Sequence, residues 1–337
     1  MWQPKRVLFE EKALDYEYGR RMYDKFTALK IPVEIMGKGN RISGIPDSPA
    51  AKAWSEAKNV LAVRMRNTKT FETCKPSAHY QLPLVSSCPG KCEYCYLHTS
   101  LGKKPYLRAY ANIDEILSRA EQYIVERQPE VTVFEGAATS DPIPLEPFTG
   151  LLARAIQFFA DRTDARFRFV TKFTQVESLL SLKHNNRTRF RFSLNSHKVI
   201  QAWEHGTPDL GSRLNALAQV AEAGYPLGVI IAPVVLTPGW QGEYLQLLQE
   251  LAMRLRDQHD LTIEIILHRF TQRAKNNIMD IFPDSTLPME KEDRTFKYGQ
   301  FGYGKYVYPK DVYSVARDFF ATEVARLLPE AKLEYLV

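Results

Sequence analysis

No stretch of the 337-residue sequence reaches the roughly 18 consecutive apolar residues that a membrane-spanning helix needs, so no helical membrane span is expected. The opening "MWQPKRVLFEEK" also lacks the apolar run of a secretory signal, and a cytoplasmic, reducing setting is expected. Cysteine is scarce. Of 4 cysteines, three crowd into "SSCPGKCEYCY", which makes no sensible disulfide framework but suits a metal or redox site in a reducing compartment. Internal repeats, low-complexity tracts and free linkers are lacking as well. A formal net charge of +6 is mildly basic; it fits a polyanionic partner without requiring one.

What remains is a globular chain with 45% hydrophobic residues, enough for a sizeable core. From about residue 79, apolar strand candidates alternate with helices. The strands are "HYQLPLV" (79–85), "VTVFEGA" (131–137), "RFRFVTKF" (166–173), "TRFRFSLN" (188–195), "PLGVIIAPVVL" (226–236) and "LTIEIILHRF" (261–270). After Asn112, the residues Ile113, Ile116, Leu117, Ala120, Tyr123 and Ile124 share one helical face, and Asn112 with Glu115 reads as a capping box. A second helix over 242–256 repeats the pattern. Strands apolar on both faces belong to parallel sheets, so six β-then-α units predict an α/β fold, either a partial (β/α) barrel or an open parallel sheet. The segment 1–78 lacks this rhythm and is expected to form an N-terminal subdomain. The unit 79–275 carries the barrel. The remainder, 276–337, holds an aromatic ribbon "KYGQFGYGKYVYPK" (297–310), read as a hairpin, and a last helix.

Cys88, Cys92 and Cys95 are spaced C-x3-C-x2-C, also one stripe of a helix. Pro89 and Gly90 break a helix, so the segment is a loop able to wrap thiolates around a metal centre. Zinc is one reading, with His98 as a fourth ligand. The other is an iron–sulfur cube on which three cysteines leave one iron open for chemistry. Cys74 stands apart and reads as a buried thiol. In a (β/α) barrel the functional residues sit at the C-terminal strand ends. Those ends carry Ser140 and Asp141, Lys172, Ser193 and Asn195, Ala232 and Pro233, and His268 and Arg269. Together they supply donors and acceptors for an amino acid and a ribose.

The C-x3-C-x2-C spacing, with Tyr94 before the last cysteine, resembles the radical S-adenosylmethionine superfamily. The longer stretch "SSCPGKCEYCYLHTSLGKKPYLRAYANIDEI", with "EGAATSDP" and "YGQFGYGKYVY", resembles the spore photoproduct lyase family over essentially the whole chain. This resemblance implies a partial (β/α)6 barrel of the radical SAM type with an N-terminal α/β extension and a C-terminal β-hairpin. It implies a 4Fe-4S cluster on Cys88, Cys92 and Cys95, and S-adenosylmethionine bound to the open iron. Tyr94, Ser140, Asp141, Lys172, Ser193, Asn195 and Ala232 would surround the nucleotide, and Tyr96 would take part in returning a hydrogen atom. Reduction would cleave the nucleotide to a 5′-deoxyadenosyl radical, which abstracts hydrogen from a thymine dimer of spore DNA and so repairs it.

One position departs from the family. Its hydrogen-donor cysteine precedes Thr-Ser-Asp, where this chain has Ala138, as in a variant made to trap a complex or a chain that quenches its radical by another route; the first is favoured. The implied partners are an external electron donor and double-stranded DNA with the lesion flipped out. The ribbon would touch DNA through Tyr303 and Lys305, and the run "HRFTQRAK" through Arg269 and Arg273. A monomer in the cytoplasm of a spore core is expected. Two alternatives stand beside this reading: another radical SAM enzyme on a different substrate, and a zinc-bound nucleic-acid-binding module without catalysis.

Overall fold

The structure is a computed structural model that describes all residues except 1, 38, 67–69, 256, 257, 259, 299–301 and 303. Strands form where the sequence alternates or runs apolar, at positions close to those expected: β1 (Ala78–Gln81), β2 (Thr132–Glu135), β3 (Ala165–Thr171), β4 (Thr188–Leu194), β5 (Leu227–Val234) and β6 (Leu261–Leu267). The chain packs as two compact units. One comprises residues 1–89, 101–190 and 223–225; the other comprises 90–100, 191–222 and 226–337. These units draw on all three segments delimited from the sequence, and β4 is the strand in which the chain passes from the first to the second.

In the first unit β1 pairs parallel with β2, and β2 parallel with β3, in a register that sets Thr132 beside Ala165 and Glu135 beside Arg168. The inward faces of β3 are Phe167 and Phe169, both buried, and the Phe159 ring stacks on Phe167 at 5.2 Å. Gly136 follows β2, and the Phe167 ring passes so close that a Cβ there would lie 2.7 Å from it. The helix Ile113–Arg127 buries the six residues its periodicity selected. Its start differs from a capping box. The Asn112 Oδ1 accepts instead from the Arg66 backbone N–H at 2.8 Å, leaving Nδ2 to donate to Glu115. A tertiary donor has displaced the local one.

The N-terminal residues contribute strands Val33–Ile35, Arg6–Phe9 and Val60–Arg64 to a five-stranded sheet whose other members, Leu107–Tyr110 and Val85–Ser86, come from beyond residue 78. Two helices, Glu17–Ala28 and Ala50–Ala57, also belong to this N-terminal segment.

In the second unit β5, β6 and the last strand Lys332–Leu336 are parallel neighbours. A buried charge pair joins Arg191 of β4 to Glu264 of β6 at 2.9 Å, and the Tyr335 hydroxyl of the last strand also donates to Glu264. The helix over Trp240–Arg254 packs Tyr244, Leu247, Leu248 and Leu251 inward. The ribbon is an antiparallel hairpin of Thr295–Tyr298 and Gly304–Val307, with Phe296 lying over Gly304 where no Cβ would fit. Among the described residues no helix is long and apolar enough to cross a membrane.

Candidate active site

The cysteine loop begins at a strained residue. Ser87, fully buried, has φ 71°, a left-handed conformation uncommon for a side chain with a Cβ. Three hydrogen bonds hold it there. Its N–H donates to the Thr139 carbonyl at 2.9 Å, its carbonyl accepts from the Asp141 N–H at 3.4 Å, and its hydroxyl donates to Pro105 at 2.7 Å. The segment after β2, which includes Ala138 and Ser140, therefore sets the direction in which the chain enters Cys88.

Asp141 ties two strand ends together. Its carboxylate accepts from the Thr171 hydroxyl at 2.8 Å and from the backbone N–H groups of Lys172 at 2.8 Å and Ile143 at 3.2 Å. Burial pushes its pKa up to about 6, against the opposing pull of those donors. Its polar atoms serve the backbone on which Ser140 and Lys172 stand. Ala138 is partly exposed.

The other half of the loop belongs to the second unit. Lys91–Cys92 pairs antiparallel with Glu204–His205, setting Cys92 opposite Glu204. The Glu93 N–H donates to the Trp203 carbonyl at 2.9 Å, and its buried carboxylate accepts from His205 Nε2 at 2.7 Å and from the Ser285 hydroxyl. The Tyr94 hydroxyl donates to Glu204, whose other oxygen accepts from Arg213 Nη2 at 2.6 Å. Burial, then the Glu204 charge, push the Tyr94 phenol well above its ordinary range. It stays protonated and donating. Arg213 also binds the carbonyls of Ser193 at 3.0 Å and Pro208 at 2.9 Å. One buried guanidinium thus fixes Tyr94, through Glu204, and the end of β4.

Both side chains of the Arg213 and Glu204 pair are 0% exposed, so removing one leaves an uncompensated buried charge. Arg213→Met is expected to lower unfolding free energy by roughly 3–5 kcal/mol, read from the urea midpoint. An unchanged midpoint would contradict the pair's role as anchor.

Asn195, fully buried, donates through Nδ2 to the Pro233 carbonyl at 2.8 Å and accepts at Oδ1 from the Tyr244 hydroxyl at 2.9 Å. It joins the end of β4 to the end of β5 beside Ala232. Ser193 is buried and Lys172 half-buried at their strand ends, whereas Tyr96 is 58% exposed just after Cys95. His98 is buried, and its Nε2 lies 2.8 Å from the Cys92 carbonyl. A carbonyl only accepts, so Nε2 is the protonated nitrogen in this contact. Among the described residues no three His, Cys, Asp or Glu side chains gather as a single ion needs. Cys88, Cys92 and Cys95 form no disulfide, and thiolates are the donor type that an iron–sulfur cube takes.

Arg269 and Arg273 are exposed, as are Lys297 and, at 81%, Tyr298 of the ribbon. Lys305 stands opposite Lys297 in the hairpin, and Tyr303 lies outside the described residues. Sequence reasoning missed Ser87, Glu204 and Arg213. Only Arg213 left a signal, a charge at an inward position between Leu210, Leu214 and Leu217.

A three-thiol loop following the first strand of a β/α chain resembles the arrangement of the radical S-adenosylmethionine enzymes. The family model of spore photoproduct lyase matches residues 2–337. The spore photoproduct lyase of Clostridium acetobutylicum is 46% identical over 99% of this chain and 98% of its own. Among solved structures, a spore photoproduct lyase with one cysteine replaced by alanine and one serine by cysteine, with bound AdoMet and dinucleoside spore photoproduct, aligns with a TM-score of 0.96. It is 43% identical, covering 100% of this chain and 99% of that one. A spore photoproduct lyase complexed with dinucleoside spore photoproduct also gives 0.96 at 42% identity, with the same coverage. The chain belongs to the spore photoproduct lyase family, and its fold is the α/β, radical SAM type expected from the sequence.

Proposed function

We infer that this chain is a DNA repair lyase that reverses the spore photoproduct, 5-thyminyl-5,6-dihydrothymine, to two thymines, using a 4Fe-4S cluster and S-adenosylmethionine. The observation that carries this is the whole-length match to a relative solved with AdoMet and dinucleoside spore photoproduct bound. Cys88, Cys92 and Cys95 hold the cluster. When bound, the cluster and S-adenosylmethionine would supply a 5′-deoxyadenosyl radical that takes the hydrogen at C6 of the lesion's dihydrothymine ring, next to the carbon bearing the methylene bridge, so that the bridge bond can cleave.

The protein's own residues bind and orient. Tyr94, Ser140, Lys172, Ser193 and Ala232 line the nucleotide site, and Asp141 and Asn195 keep the strand ends in shape around it. Tyr96 takes part in returning a hydrogen atom at the end of the reaction. A solved relative with one cysteine replaced by alanine and one serine by cysteine holds both AdoMet and the dinucleoside lesion.

The physiological substrate is double-stranded DNA with the lesion flipped out, because a damaged dinucleotide in the stack cannot reach the strand ends. The ribbon, including Tyr303 and Lys305, supports the opened duplex, and Arg269 and Arg273 meet its phosphates. The chain works as a monomer with an external electron donor in the spore core of a spore-forming bacterium.

Anaerobic, reconstituted protein given dithionite and S-adenosylmethionine is expected to release 5′-deoxyadenosine, and thymine once lesion-bearing DNA is added. A protein that takes up iron but releases neither product would overturn the reading. The DNA face has a separate test. Replacing Lys297 and Arg273 together by Ala should weaken duplex binding and lower the slope of log affinity against log salt by about 1–2, each phosphate contact contributing about 0.9. Nucleotide cleavage without DNA should be unchanged. An unaltered slope would return both residues to a solvated surface.

A further inference from the structure

Lys58 follows the helix Ala50–Ala57, where a lysine ordinarily extends into water. Here its side chain is turned inward and the residue is 1% exposed. The ammonium donates to the carbonyl oxygen of Cys88 at 2.6 Å and lies 5.3 Å from the centre of the Trp54 ring. The Lys58 carbonyl accepts from Trp2 Nε1 at 3.2 Å, which fixes the backbone beneath it. Among the described residues it meets no carboxylate. A buried cation with no anion is costly, and one carbonyl and one ring face offset only part of that cost.

The group that would complete the balance is the one Cys88 ligates. Three thiolates outweigh the positive charge of an iron–sulfur cube, so the cluster is anionic, and more so after accepting an electron. A fixed cation beside one ligand favours the more negative state, and inside a protein such a charge acts far more strongly than in water.

We propose that Lys58 is a positioning residue for the cluster: a buried cation set against Cys88 that stabilises the reduced state and so lets the external donor deliver its electron. This rests on the cluster assignment under Proposed function.

Two variants separate charge from hydrogen bonding. Lys58→Gln keeps a donor for the Cys88 carbonyl and removes the charge, whereas Lys58→Arg keeps the charge. Each full-length protein is reconstituted anaerobically, its iron and sulfide are counted, and the cluster is titrated against potential by electron paramagnetic resonance. The Gln variant should carry wild-type iron but show about a tenfold smaller ratio of reduced to oxidised cluster at a given potential, a displacement of about 59 mV to the negative side for one electron. The Arg variant should stay within about twofold of wild type. Equal potentials in wild type and the Gln variant, or equal displacement in both variants, would overturn the proposal and leave Lys58 a strut. If the Gln variant takes up no iron, retention of iron by the Arg variant supports the role of charge, and loss in both contradicts it. Absence of a cluster in the wild type would instead overturn the functional reading itself.

Discussion

Cys92→Ala is expected to abolish the iron–sulfur absorbance and nucleotide cleavage together, while the protein remains folded. Three thiolates are the fewest that hold a cube with one open iron, so losing one removes the cluster and the binding site for the nucleotide's methionine moiety. Stability should change little by comparison. Cys92 lies in a two-residue strand whose pairing with Glu204–His205 is made by the backbone, and the contacts of Glu93 and Tyr94 persist on either side. Iron and sulfide per chain, the visible spectrum and 5′-deoxyadenosine release, with circular dichroism as the control for folding, make the measurement. An intact cluster with full cleavage in Cys92→Ala would contradict the ligand assignment.

The second large effect is expected at Ala138. Hydrogen abstraction and fragmentation need only the cluster, the nucleotide and a well-placed lesion, so the present chain should break the dimer. Quenching the product radical is another matter, because alanine offers no weakly held hydrogen. The thymine radical should then persist and react with reductants from solution, giving adducts. Tyr96, well exposed, can supply a phenolic hydrogen only if a partner resets it. Ala138→Cys should therefore raise the fraction of lesion converted to clean thymine severalfold, with cluster content and nucleotide binding unchanged. The residue is partly exposed and stands in a turn after Gly136, so one added sulfur has space to be accommodated. Product distributions by mass spectrometry under a single reductant decide it. Equal yields would mean that position 138 is not the donor site.

The sequence made the main strands legible because a parallel strand buried on both faces leaves an unbroken apolar run, as in "GVIIAPVV" of β5. It made the cysteine loop legible because Pro89 and Gly90 exclude the helix that the same spacing would otherwise allow. What it hid is tertiary. Lys58 and Cys88 are thirty residues apart, and Tyr94 and Glu204 more than a hundred. No local pattern announces such pairs. Asn112 and Asp141 show a subtler limit: each is a polar residue at an element end, as expected, yet the partner of Asn112 is Arg66 from a different segment, and the oxygens of Asp141 serve neighbouring backbone. Residue type at a strand end signals that hydrogen bonds are needed there. It does not say whether ligand or protein receives them.

The central claim is that this chain repairs the spore photoproduct by abstracting hydrogen from C6 of its dihydrothymine ring, the carbon next to the one that bears the methylene bridge. Dinucleoside spore photoproduct deuterated at C6, incubated anaerobically with the reconstituted protein, S-adenosylmethionine and dithionite, tests it most directly. The account predicts deuterium in the 5′-deoxyadenosine, together with loss of lesion and release of thymine products. Unlabelled 5′-deoxyadenosine beside intact lesion would contradict it.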